Sequence, residues 1–199
     1  MADKPKIPDT VKAKAKEIVD NLLPRIDNKF VIAIAGETGS GKTTLALALA
    51  DAFQEQGITP VIIHQDDYFF LPPKDNEKKR KQDIAWVGTS EVNLELMAKH
   101  INAFRAGKKI VKPSVIYEQN RFVDQELDTA NADVLLVEGT YVLNLPSVDY
   151  KIFLAATYNE TLQRRIERAR DNIDDFLDKV LEIEHRIISK QKDLADLVI

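Results

Sequence analysis

The sequence predicts an α/β domain built on a mainly parallel five-stranded sheet, and three observations carry that expectation. Short apolar runs of strand length, rich in β-branched residues, recur along the chain; amphipathic helical patterns lie between them; and glycine or proline punctuates the junctions. Runs that are apolar on both faces suit strands covered by helices above and below, which is the three-layer α/β/α arrangement. At 199 residues the chain fits a single domain, 1–199, in which 1–26 form a helical extension.

The extension shows Val11, Ala15, Ile18, Val19 and Leu22 at helical spacing, with Thr10 placed as N-cap and Pro24 just beyond the end. Phe30 to Ala35 is a buried-type strand broken by Gly36. Leu45, Leu49 and Phe53 then recur every four residues among alanines until Gly57, the pattern of a helix closed by glycine. Pro60 to His64 reads as the next strand, and an acidic and aromatic stretch, Asp66-Asp67-Tyr68-Phe69-Phe70, follows it. The lysine-rich segment Pro72 to Gln82 reads as an exposed loop or flap.

Leu94, Met97, Ile101 and Phe104 mark a helix entered near Ser90 and left at Gly107. Lys108 to Leu127 has no clean period and reads as irregular or as a short hairpin. Val134 to Val137 and Tyr150 to Leu154 are two more buried-type strands. Leu162, Ile166, Ala169 and Ile173, then Phe176, Val180, Ile183 and Ile187, give helical faces within a region expected to act as a helical lid, residues 158–190. Ala195 to Ile199 supplies a final strand.

Composition removes several functional classes. The chain has no cysteine, so disulfides, thiolate catalysis and cysteine metal sites are excluded. A formal net charge of -4 argues against a protein whose main task is gripping nucleic acid. No segment approaches the roughly 18 consecutive apolar residues of a membrane span, and the start lacks a secretory pattern, so a cytoplasmic protein without membrane or nucleic-acid partners is expected. Oligomeric state is not encoded in any of these signals.

The most informative segment is Gly36-Glu37-Thr38-Gly39-Ser40-Gly41-Lys42-Thr43, which fits G-x-x-x-x-G-K-[ST] and lies between an expected strand and an expected helix. Glycines let such a loop curl so that backbone N–H groups, at Gly36, Thr38, Gly39, Ser40 and Gly41 and on into Lys42, Thr43 and Thr44, face phosphate oxygens at the positive end of the helix. The Lys42 ammonium then reaches the β- and γ-phosphates of ATP, and the Thr43 hydroxyl completes the shell of Mg2+. Two acidic positions complement it at strand ends. Glu138 directly follows an apolar strand, where it is either a metal-holding carboxylate or a solvated one; Asp66 and Asp67 follow His64, either as a base for an attacking hydroxyl or as a structural turn pair. The run Arg164-Arg165-Ile166-Glu167-Arg168-Ala169-Arg170 is read either as a solvated helix face or as a lid folding onto the phosphates.

The order of these motifs resembles the uridine kinase and phosphoribulokinase group, to which pantothenate kinase is related: the glycine-rich loop, Gln65-Asp66-Asp67-Tyr68-Phe69, Val137-Glu138-Gly139, then an arginine-rich helix, from about Phe30 to Ile199. The resemblance implies a P-loop kinase that phosphorylates a hydroxyl of a small metabolite, most readily a nucleoside, with ATP and Mg2+. It implies Asp66 as catalytic base, Glu138 and Asp66 beside the metal, Phe69, Tyr117, Arg121 and Arg165 toward the acceptor, and Arg168 and Arg170 toward ATP. Two departures stand out. Asp67 occupies a position where the group usually has serine, and Ile84-Ala85-Trp86-Val87-Gly88-Thr89-Ser90 replaces the Asp-His-Pro-Asp-like stretch of uridine kinases. Trp86 suits stacking on a base or sugar and packing within the flap equally. A regulatory GTPase is the competing class, but neither an Asn-Lys-x-Asp nor an Asp-x-x-Gly motif occurs in the chain.

Overall fold

The structure is a computed structural model that describes residues 7–161 and 175–199. Apolar strands assemble into a five-stranded sheet made of β1 (Phe30–Gly36), β2 (Pro60–His64), β5 (Val134–Gly139), β6 (Tyr150–Leu154) and β7 (Leu197–Val198), in the order β2-β5-β1-β6-β7. Every pairing is parallel. The strand that feeds the glycine-rich loop is therefore central.

Because side chains alternate along a strand, β1 sends Val31, Ala33 and Ala35 into one core and Phe30, Ile32 and Ile34 into the other. The first core is closed by α4 (Leu94–Arg105) through Met97, Ile101 and Phe104. The second is closed by α2 (Lys42–Glu55) through Leu45, Leu49 and Phe53 and by α1 (Asp9–Leu22) through Ala15, Ile18, Val19 and Leu22. The leading helix is thus part of an α/β/α sandwich. Its N-cap position is Pro8, not Thr10, and no side chain caps it; proline's fixed φ suits a helix entrance where N–H groups lack partners in any case.

A second, two-stranded antiparallel sheet consists of β3 (Ile110–Ile116) and β4 (Arg121–Leu127), so the stretch without a clean period is a full hairpin. Its pattern is unusual because β3 buries Lys112 beside Ile110 while Val111 faces solvent. The lysine-rich segment is not a loop but α3 (Pro73–Gln82), with proline at its start and Asn76 its one buried residue. The helix expected from near Ser90 begins at Leu94, where the Asn93 side chain accepts from Leu96 N at 2.9 Å; Thr89–Glu91 forms a separate 3-10 turn. Within the expected lid region, α5 (Asp175–Ile188) buries Val180, Leu181 and Ile188. The helical stripe from Leu162 to Ile173 lies outside the described residues.

What holds α3 is polar. Arg80 donates from Nε to Glu91 Oε2 at 2.5 Å and from Nη2 to Glu91 Oε1 at 3.0 Å and to Glu184 Oε1 of α5 at 2.9 Å. Asn76 also donates to Glu91 at 2.6 Å and accepts from Trp86 Nε1 at 2.8 Å, so Trp86 packs within the flap. Burial pushes the Glu184 carboxyl up against the opposing pull of Arg80, and the charge of Glu91 adds to that rise. Arg80→Met leaves two buried carboxylates without their cation and is expected to cost roughly 3–5 kcal/mol at neutral pH. The loss shrinks as pH falls into the range where the raised Glu184 takes up a proton in the folded state, because a proton then replaces the guanidinium. Urea titrations across pH check both the size and the sign.

Candidate active site

The register of the sheet determines what can meet. Ile34 of β1 and His64 of β2 both lie opposite Glu138 of β5, so the phosphate loop, Glu138 and the Gln65–Tyr68 turn all leave the same carboxyl edge. Open α/β sheets bind their ligands at that edge.

The loop from Gly36 to Thr43 runs directly into α2. Gly41 occupies the N-cap position at φ 101°, a left-handed conformation that a side chain would oppose. Lys42 Nζ donates to Glu37 O at 2.9 Å. The Glu37 carboxylate is itself engaged, accepting from Tyr158 N at 2.6 Å and pairing with His185 Nδ1 of α5 at 2.6 Å. Thr161 Oγ1 donates to Thr38 O at 2.9 Å. Thr38 and Thr44 are half-buried, and Thr43 is exposed at the first turn of α2.

Thr43 Oγ1 donates to Glu138 Oε1 at 2.9 Å, and His64 Nδ1 meets the same oxygen at 2.7 Å. Burial would raise the Glu138 pKa, but the His64 hydrogen bond, the Lys42 charge and Thr43 outweigh it and hold this carboxyl below its ordinary value. Glu138 therefore accepts from both neighbours, and Nδ1 of His64 carries the proton. Burial also works against a charged His64, yet its bond to Glu138 prevails and raises its pKa.

Asp66 is solvent-exposed at the cleft, with neighbouring protein atoms close around its carboxyl group. Burial raises its pKa first and the Glu138 charge second, against the pull of Lys42 and of the Tyr117 hydroxyl, which donates to Oδ2 at 3.1 Å. A carboxylate easier to protonate than usual, beside an ammonium and facing a cleft, can take a proton from an alcohol. Gln65 fixes the spacing between the two strand ends. Its Oε1 accepts from Tyr141 N at 2.8 Å, its Nε2 donates to Thr140 Oγ1 at 2.8 Å, and a Cβ on Gly139 would stand 2.3 Å from its own Cβ.

These groups border a cleft of about 400 Å³ whose walls include Thr43, His64, Asp66, Tyr117 and Glu138, together with Asp67, Lys112, Ser114 and Gln125. Phe69 is not among its walls: the ring packs against the core and the backbone bridges the buried Val92. Arg121 is exposed at the start of β4, where Nε donates to Gln119 Oε1 at 2.7 Å, and it is not among the cleft walls. Arg165, Arg168 and Arg170 lie outside the described residues. Lys112, Ser114 and Gln125 were not legible as site residues from the sequence, whose stretch here has no clean period; Asp67, which the sequence offers with Asp66 as base or turn pair, borders the cleft while paired with Lys112.

The donor set fits magnesium. Among the described residues no group of three or more histidines and carboxylates forms a metal cage, and the hydroxyl of Thr43 next to the carboxylate of Glu138 is the sparse oxygen set that Mg2+ takes when phosphates and water complete its shell. The loop fits phosphate as well, since the buried Ser40 hydroxyl has no hydrogen-bond partner among the described residues.

Comparison with known proteins agrees with this geometry. Residues 31–199 match the model of the Phosphoribulokinase / Uridine kinase family. The chain is 34% identical over 143 residues to a uridine kinase of Ureaplasma parvum, covering 70% of this chain and 68% of that one. It is 32% identical over 188 residues, 87% of its own length, to the bifunctional alpha-galactosidase/sucrose kinase AgaSK of Mediterraneibacter gnavus, of which it spans 20%. In fold it is similar to a possible uridine kinase from Bacillus stearothermophilus, with a TM-score of 0.68 at 20% identity, covering 94% of this chain and 98% of that one. A parallel sheet with a central phosphate loop, two strand-end carboxylates abreast of it and a matching family model lead to one conclusion: the chain belongs to the phosphoribulokinase / uridine kinase family of kinases.

Proposed function

We propose that the chain transfers the γ-phosphoryl group of ATP to a hydroxyl of a small polyhydroxylated metabolite, with a nucleoside as the first expectation. The observation that carries the reading is the convergence, at one sheet edge, of the phosphate loop with Glu138 and with an Asp66 that Tyr117 orients toward the cleft. The acceptor oxygen attacks the γ-phosphorus as its proton passes to Asp66, and the bond to the β–γ bridging oxygen breaks so that ADP leaves. Backbone N–H groups of Gly36 to Thr44 orient the phosphates, and Lys42 offsets the charge spread over the transferring group. Thr43 and Glu138 would hold Mg2+, which neutralises phosphate charge when bound.

A sugar is the second acceptor class, favoured by similarity over 87% of the chain to the sucrose-kinase-bearing AgaSK and by the hydrogen-bonding Ser114 and Gln125 in the cleft. The test is acceptor-dependent ADP release from purified protein offered nucleosides, sugars and simple alcohols with magnesium-ATP. Release with one class and none without acceptor is expected. ATP turnover indifferent to every acceptor would overturn the reading.

A further inference from the structure

The cleft contains an ion pair that neither the phosphate loop nor the proton transfer uses. Lys112 projects from the buried register position of β3, and its Nζ donates to Asp67 Oδ2 at 2.5 Å, with a longer bond of 3.2 Å to Pro113 O. The other Asp67 oxygen accepts from Val115 N at 2.8 Å. Both side chains are more than nine-tenths buried, at 5% and 9% exposure, yet both border the cleft beside Asp66. A buried charge pair is an expensive way to fasten a hairpin, because apolar residues of similar volume commonly do as well or better. Its position beside the acceptor's path suggests a role in selection.

The charges around the cleft sharpen the point. Among the described residues that border it, the carboxylates are Asp66, Asp67 and Glu138, and the basic side chains are Lys112 and His64. Each of those bases is bonded to one of those carboxylates. Among the described residues, the cleft border thus offers an anion no cation outside these two pairs. A phosphate or carboxylate on the acceptor would meet like charge at short range, which excludes wrong partners efficiently. Hydroxyl groups, by contrast, can donate to these carboxylates and exchange hydrogen bonds with Ser114 and Gln125.

We propose that the Asp67–Lys112 pair is a specificity determinant that reserves the cleft for an uncharged polyhydroxylated acceptor and rejects phosphorylated or carboxylated ones. Asp67 does so by holding Lys112, the lysine among the described residues of the cleft wall, on its own carboxylate, where it cannot receive an anion. This rests on the kinase reading above and narrows its acceptor class.

The experiment compares kcat/KM for two matched pairs, uridine with uridine 3′-monophosphate and fructose with fructose 6-phosphate, each charged member retaining a free primary hydroxyl. Wild-type protein is expected to favour the neutral member. Asp67→Asn keeps the shape and an acceptor for Val115 N but releases the lysine charge, and it is expected to lower the neutral-to-anionic ratio by about tenfold or more. Lys112→Gln changes the charge the other way and is expected to preserve or raise that ratio, which also covers the case in which Asp67→Asn fails to fold. A purely structural role would depress both members of a pair together. Preference of the wild type for the charged member, a ratio unmoved in folded Asp67→Asn, or a fall of the ratio in Lys112→Gln would each overturn the proposal while leaving the kinase reading intact. Failure of all neutral and charged acceptors would instead remove the kinase reading itself.

Discussion

Asp66→Asn is expected to bind magnesium-ATP as the wild type does and to turn over roughly 10²–10⁴-fold more slowly, the usual worth of a positioned general base. The side chain lies at the end of β2, outside both cores, and the amide can still accept from Tyr117, so stability should change little. A pH profile separates loss of a base from loss of position. In the wild type the base must be ionised, and burial together with the Glu138 charge raises its pKa, so kcat should fall on the acid side at a higher pH than an unperturbed aspartate would give. That acid limb should be missing from the residual activity of the variant. Calorimetric titration with nucleotide and a kcat profile make the check; near-normal turnover would take Asp66 out of the role.

Lys42→Ala is expected to behave differently, weakening nucleotide affinity and lowering kcat by about 10²–10³-fold, the range seen when one preorganised charge-stabilising donor is removed. Alanine is the best helix former and Lys42 opens α2, so the helix itself should persist. The same ammonium holds down the pKa of both Asp66 and Glu138. Without it, both carboxylates ionise less readily, and the acid limb should move to higher pH than in the wild type. Unchanged affinity together with an unmoved limb would show that Lys42 does not reach the phosphates.

The parts of this molecule that one stretch of sequence determines were legible from that stretch. β1 and β5 are buried on both faces, β2 and β6 partly so, and all four announce themselves as apolar runs; the phosphate loop follows from a motif set between such a run and a helix. The position of Glu138 at the active edge followed from its place after Val137. The parts fixed by distant partners were not legible. α3 has almost no apolar residue to show a helical period, and it owes its place to the reach of Arg80 to Glu91 and Glu184. The hairpin hid itself because β3 inverts the ordinary pattern, burying Lys112 for Asp67 and exposing Val111. Phe69, expected to face the acceptor, packs against the core, and its backbone bridges Val92. The pairing of Glu37 with His185 joins positions 148 residues apart, a relation that no local spacing encodes.

The hairpin forms a sheet of its own and shares no ladder with the five strands that carry the phosphate loop, Glu138 and the Asp66 turn. The hairpin touches that scaffold through Lys112, Val115 and Tyr117 at the Asp66-Asp67 turn, so substitutions elsewhere along β3 and β4 can reshape the cleft wall without disturbing the alignment of β1, β2 and β5. Such a division leaves most of one ribbon free to vary in sequence while three anchoring positions keep the Asp66 turn where the sheet edge presents it.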